Sequence, residues 1–199
     1  MRLRIAHVLP RTAVEGPGLR AAVWVQGCSI RCVGCFNPHT WAARGGREVD
    51  TKELAGRLLR DTGTEGVTFL GGEPFDQAAA VSEVARRFRA AGRSVMTFTG
   101  HTYETLRDAG RADWQSLLDA TDLLVDGPYD RKRPDHHRPW VGSVNQRFLH
   151  LTERCWGRVP EEAAATSMEV RIRPDGTVFV NGMAGDTMLD RLRHTLRQD

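Results

Sequence analysis

The chain has 199 residues, 40% hydrophobic and 27% charged, a balance typical of globular proteins and unlike that of disordered or fibrous ones. Its length predicts one domain with at most a small appendage, large enough to bury a core without disulfide staples. The 28 Lys plus Arg and 25 Asp plus Glu leave a formal charge of only +3, and the arginines are scattered from Arg2 to Arg197, so no nucleic-acid face is expected.

The opening Met1-Arg-Leu-Arg is followed by His7, Pro10, Arg11 and Glu15 rather than by an apolar run, so no secretory signal is expected. No stretch approaches the roughly 18 to 20 apolar residues of a membrane span. A reducing, cytoplasmic setting and no membrane partner are expected. The first clear strand is Leu19 to Gln26, rich in β-formers and bounded by Gly16-Pro-Gly18 and Gly27. Asp50 reads as the N-cap of a helix whose apolar face is Leu54, Ala55, Leu58 and Leu59. A strand over Gly66 to Leu70 runs into Gly71-Gly-Glu-Pro74, and a helix is predicted from about Asp76 to Ala91, stopping at Gly92. Ser94 to Phe98 forms a third strand, ended by Thr99-Gly100. Short helices follow near Tyr103 to Asp108 and Asp113 to Ala120. Asp122 to Val125 is a fourth strand, leading into Asp126-Gly-Pro-Tyr129.

Strands alternating with helices predict an α/β fold with a mostly parallel sheet covered by helices. The cysteine loop, Gly71-Gly-Glu-Pro74, Thr99-Gly100 and Asp126-Gly-Pro-Tyr129 would then share the C-terminal strand edge, where such folds carry their sites. Asp130 to Pro139 reads as a polar loop and residues 161–166 as a surface linker. Met168 to Val180, turning at Pro174-Asp-Gly176, predicts an antiparallel hairpin, followed by a helix over about Asp186 to Leu196. The expected division is a core over 1–160 and a hairpin-helix extension over 161–199, packed on the core.

Four cysteines occur. Cys28, Cys32 and Cys35 lie within eight residues, which in a cytosolic chain points to metal ligation or redox chemistry. Cys155 stands apart beside Trp156 and reads as an ordinary buried thiol. A structural zinc site takes four ligands, and the nearest fourth candidate is His39. A cubane iron–sulfur cluster uses one thiolate per iron, so three cysteines would leave one iron open. A thiol–disulfide role for Cys32 and Cys35 would leave Cys28 unexplained. Ile30 is expected to shield the centre, the N–H groups around Ser29 and Gly34 to meet its sulfurs, and Phe36 to pack on a planar cofactor or in the core.

The Cys28-x-x-x-Cys32-x-x-Cys35 spacing is similar to the cluster signature of the radical S-adenosylmethionine superfamily. Surrounding blocks resemble, in order, the activating proteins of anaerobic ribonucleoside-triphosphate reductase: Val14 to Arg20, Val25-Gln-Gly-Cys28, Cys35 to Trp41, Phe69 to Pro74, Phe98 to Leu106, Leu123 to Tyr129 and Trp140 to Arg147. The aromatic placed one residue after Cys35 rather than before it matches that subgroup. Leu70 departs from the small polar residue common there, and the chain beyond about Cys155 exceeds a minimal activator.

The resemblance implies a partial (β/α) barrel and a 4Fe–4S cluster held by Cys28, Cys32 and Cys35, with S-adenosylmethionine chelated at the open iron. It implies that Gly71, Gly72 and Glu73 bind the cofactor's amino group, and that Thr97, Thr99 and Gly100 form a second wall. Asp126 would meet a ribose or position the partner's backbone, or else cap the next turn; Asn145 and Gln146 belong to a matching stretch without an assigned role. An electron from a flavodoxin or ferredoxin would drive cleavage to a 5′-deoxyadenosyl radical. That radical would abstract a glycine hydrogen from an anaerobic ribonucleotide reductase or similar glycyl-radical enzyme. Two alternatives remain at this level: radical modification of a peptide or small molecule, and a non-catalytic zinc protein that binds a partner.

Overall fold

Apolar runs of four to six residues set the sheet, and the polar segments between them form the loops that bear the site. The computed structural model describes residues 1–159 and 167–183, together with Arg191, His194 and Thr195. The expected linker over 161–166 and most of the expected helix over 186–196 lie outside the described residues.

The strands of the main sheet are β1 (Arg2–Thr12), β2 (Arg20–Val25), β3 (Arg47–Asp50), β4 (Gly66–Gly71), β5 (Ser94–Phe98), β6 (Leu123–Asp126) and β7 (Arg147–His150). They lie in the order β3-β1-β2-β4-β5-β6-β7. The central strands β2, β4, β5 and β6 are parallel neighbours. β1 and β3 extend one side antiparallel, and β7 adds an antiparallel strand to the other. β2 is buried along its whole length, as expected of a parallel strand covered on both faces.

The helices are α1 (Thr51–Leu59), α2 (Ala78–Ala90), α3 (Tyr103–Asp108) and α4 (Ala112–Ala120). Asp50 caps α1, accepting from Lys52 N at 2.9 Å and Glu53 N at 3.1 Å, as its sequence position predicts. A 3-10 turn over Pro74–Gln77 delays the start of α2 to Ala78. Leu54, Leu58, Val81, Val84, Phe88 and Leu117 pack against Val23, Val25, Val67, Phe69, Val95 and Leu124. Each such fully buried side chain contributes about 1.5–3 kcal/mol.

The opposite face of the sheet carries no helix among the described residues. There Ala22, Trp24 and Leu70 pack with Leu9 and Phe179, while Met96, Leu123 and Val125 pack with Val141 and Cys155. Phe179 belongs to the hairpin of β8 (Met168–Ile172) and β9 (Val178–Gly182), which pair antiparallel. Its turn closes with Arg173 N donating to Thr177 O at 2.9 Å and Gly176 at φ +79. The hairpin is tied to the core through Glu169, whose carboxylate accepts from Thr12 Oγ1 at 2.9 Å and Ala13 N at 2.8 Å.

β1, β3 and β7 were not evident from the sequence. Pro10 interrupts the alternation of β1, and the strand absorbs it in an irregular stretch between Leu9 and Thr12. β7 is short and partly exposed.

Candidate functional site

The loop after β2 is fastened at both ends. Gly27 N donates to Thr40 O at 2.7 Å and Cys28 N to Trp41 O at 3.2 Å. Asp76, in the turn after β4, accepts from Ser29 N at 2.7 Å and from Ser29 Oγ at 2.8 Å. The Ser29 N–H itself is therefore spent on a carboxylate, and the N–H that turns to a sulfur near it is that of Arg31. Arg31 adopts a left-handed φ of 54°, uncommon for a residue with a side chain, and this bends the chain between Cys28 and Cys32.

All three cysteines are half-buried and none is in a disulfide. Arg31 N lies 3.5 Å from Cys28 Sγ and Asn37 N lies 3.3 Å from Cys35 Sγ, each donating towards sulfur. Burial raises the pKa of the Cys28 and Cys32 thiols. The thiolate form therefore needs a positive partner in the loop, and a coordinated metal supplies one.

The loop after β4 packs directly on this one. Gly71 has φ +98, and a Cβ on Gly72 would lie 2.1 Å from Gly27 O, so no larger residue fits without separating the two loops. Gly72 N donates to Val25 O at 2.9 Å and Glu73 N to Gly27 O at 2.8 Å. The Glu73 carboxylate is 1% exposed and accepts from Phe75 N at 2.9 Å, Thr99 Oγ1 at 2.9 Å and Gly100 N at 3.0 Å. It thus joins the ends of β4 and β5. Burial pushes its pKa up to about 7 against these three donors. A Cβ on Gly100 would meet Ile30 Cδ1 at 2.7 Å; Gly100 is the seat on which the cysteine loop rests.

These loops surround a cavity of about 390 Å³. Cys28, Cys32, Cys35, Phe36, Gly71, Gly72, Glu73, Thr99 and Gly100 all line it, with Ile30, Gly127, Tyr129 and Gln146. The structure thus gathers most of the residues singled out in the sequence at one edge of the parallel strands. Phe36 is 54% exposed and sits at the mouth, its ring 5.4 Å from that of Tyr129.

Two of the expected cofactor residues lie off this cavity. Thr97 is not among the lining residues: with Val95 it faces the helices, and its hydroxyl is 2.9 Å from Thr121 Oγ1. Its neighbour Phe98, on the other face, lines the cavity instead. Asp126 is fully buried and also absent from the lining. Its carboxylate accepts from Tyr103 N at 2.7 Å and from Arg147 at 2.9 and 2.5 Å, so it holds the start of α3 and the edge strand β7. Asn145 donates to Pro128 O at 2.7 Å and Gln146 to Gly127 O at 3.3 Å; both brace the Gly127–Tyr129 turn. Cys155 is fully buried in the apolar layer with Val141.

Sequence reasoning missed the wall contributed by the second sheet face. His7, Trp24 and Phe179 line the cavity, with the His7 and Phe179 rings stacked at 4.0 Å. Glu15 lines it as well, accepting from Asn181 Nδ2 at 3.1 Å and Gly182 N at 2.7 Å. The mismatch of Asn181-Gly182 with an apolar strand was the only sequence signal for that contact.

The donor set fits an iron–sulfur cluster: three thiols on one loop, two of them already met by N–H groups, facing a cavity with small residues on its far wall. Among the described residues, no three His, Cys, Asp or Glu groups converge closely enough to hold a single ion; a cluster asks only one thiolate of each iron.

Residues 14–149 match the family described as a 4Fe-4S single cluster domain. The chain is 32% identical to the anaerobic ribonucleoside-triphosphate reductase-activating protein of Enterobacteria phage T4, over 75% of this chain and 96% of that protein. It is 33% identical to the protein of the same name from Vibrio cholerae, over 72% of this chain and 95% of that protein. Identity to the pyruvate formate-lyase-activating enzyme of Clostridium pasteurianum is 34%, over 61% of this chain and half of that one.

Proposed function

The chain belongs to the 4Fe–4S single cluster family and is related to anaerobic ribonucleoside-triphosphate reductase-activating proteins, and from that premise we propose that it is a radical S-adenosylmethionine enzyme that activates a glycyl-radical enzyme. The observation that supports this reading most is the cavity that three cysteines share with the Gly71–Glu73 loop. Cys28, Cys32 and Cys35 would hold the cluster, and Gly71, Gly72, Thr99 and Gly100 would line the cofactor's seat. When bound, the pair supplies reductive cleavage of the cofactor to a 5′-deoxyadenosyl radical, which takes a hydrogen from a glycine of the partner.

The chain's own residues position and shield. Asp76 and Gly72 fix the cysteine loop against the β4 loop, so the ligands and the far wall keep one spacing. Glu73 acts through Thr99 and Gly100 rather than as a free carboxylate, leaving backbone carbonyls to meet a cationic amine. Trp24, Phe98 and Phe179 exclude water from the second face, which matters because a carbon radical attacks whatever lies near it. The parallel strands with helices on one face suit a partial (β/α) barrel. We place the protein in the cytoplasm; no helix among the described residues is long and apolar enough to cross a membrane.

One observation favours a second reading, modification of a peptide or small molecule. The hairpin, which lies beyond the matched residues 14–149, contributes Phe179, Asn181 and Gly182 to the cavity wall. Oxygen-free reconstitution with iron and sulfide, then incubation with S-adenosylmethionine and dithionite, should yield 5′-deoxyadenosine. Adding an anaerobic ribonucleotide reductase should produce a glycyl-radical signal by electron spin resonance under the first reading. Cleavage without that signal would favour the second.

A further inference from the structure

Cys28 lines two cavities and is the one residue common to them. Besides the cavity described above, it lines a second, outer cavity of about 380 Å³. The outer cavity is lined by Arg2, Arg4, Arg31, Trp41, Glu48 and Asp76 among others. Asp76 is committed to Ser29, and Glu48 is shared between Arg2, at 3.9 Å, and Arg4. The Arg31 guanidinium donates to Cys28 O at 3.4 Å, makes no ion pair among the described residues and stays exposed. Arg44 and Arg47 are exposed beside the lining residues Ala43 and Glu48. The rim therefore carries an excess of positive charge beside a ligand cysteine. Trp41 accepts the Cys28 N–H on its carbonyl, while its indole Nε1 is buried without a partner.

The hairpin, Phe36 and Tyr129 line the inner cavity, whereas Arg2, Arg4 and Arg31 line the outer one. We propose that this outer cavity seats a small acidic one-electron carrier protein, so that the electron enters through the Cys28 side of the cluster, opposite the cofactor cavity. The inference rests on the functional reading above, since only a reducible centre needs such a donor. One electron leaves the carrier, which is oxidised by one unit, and reduces the Cys28-held group by one unit. No bond forms and no proton moves at the interface. Small, weak, charge-steered contacts are usual for such encounters, and opposite charge on a rim raises the association rate while leaving dissociation easy.

The test uses the cluster-loaded full chain and an acidic, low-potential plant-type ferredoxin. Calorimetric titration with oxidised ferredoxin reads binding independently of turnover. Arg2→Glu with Arg4→Glu should weaken binding about tenfold at low salt and flatten its salt dependence, while Glu48→Gln should tighten it about two- to threefold. Dithionite-driven 5′-deoxyadenosine formation should stay within about twofold in both variants, because a small reductant needs no docking surface. Unchanged ferredoxin binding in the charge-reversed variant, weaker binding in Glu48→Gln, or an equal loss with dithionite would overturn the proposal. If the unmodified protein makes no 5′-deoxyadenosine with dithionite, the functional reading fails, and the binding titration still decides the docking surface.

Discussion

Glu15→Gln should remove a large part of the protein's loss of stability between pH 5 and pH 8. The Glu15 side chain is buried where the hairpin meets β1, and burial, opposed by its bonds from Asn181 and Gly182, pushes its pKa from 4.5 up to about 7. An acid whose folded pKa lies above its unfolded value holds its proton more tightly when folded. Its contribution is complete below about pH 4.5 and is lost as pH rises towards about 7. Between pH 5 and pH 8 that shift is worth roughly 2–3 kcal/mol, from about 1.4 kcal/mol per unit. Glutamine keeps an oxygen to accept both hydrogen bonds but cannot ionise. Urea unfolding of the metal-free protein, followed by tryptophan fluorescence at pH 5, 6.5 and 8, measures the difference. The unmodified protein should lose roughly 2–3 kcal/mol more than Glu15→Gln across that range. Parallel pH profiles for the two proteins would refute the burial argument.

Other substitutions probe single contacts. Gly72→Ala would place a Cβ 2.1 Å from Gly27 O; it should cost about 2–4 kcal/mol in urea unfolding and weaken S-adenosylmethionine binding by calorimetry. Asp126→Asn should destabilise by about 1–3 kcal/mol, since Arg147 and the Tyr103 N–H lose a charged partner, yet leave cofactor affinity nearly unchanged. A tenfold fall in affinity would return Asp126 to the site. Cys155→Ala should retain the full iron content and about 400 nm absorbance, at a cost of about 1 kcal/mol for the lost buried sulfur. Loss of iron in that variant would mean that Cys155 is a ligand.

The features legible in the sequence were those encoded within a few residues. Apolar runs marked β2, β4, β5 and β6, and the unusual loops after each of them do share one strand edge. The Asp50 cap, the Pro174–Gly176 turn and the cysteine triplet were equally local. What was hidden depended on distance or on parity. β5 is buried on both faces, so no alternation showed that Thr97 turns to the helices and Phe98 to the cavity. Asp126 meets Arg147 across twenty-one residues, and Asp76 meets Ser29 across forty-seven; neither carboxylate has a local sign of its partner. The seating of Phe179 on His7 joins opposite ends of the chain and follows only from the packing of the second sheet face.

The most direct test of the central claim is the Mössbauer spectrum of protein reconstituted with ⁵⁷Fe without oxygen, recorded before and after adding S-adenosylmethionine. Three cysteine ligands predict four irons per chain, one of which changes its isomer shift and quadrupole splitting when the cofactor binds. Four irons that stay alike after the addition, or a metal held by four protein ligands, would contradict the account.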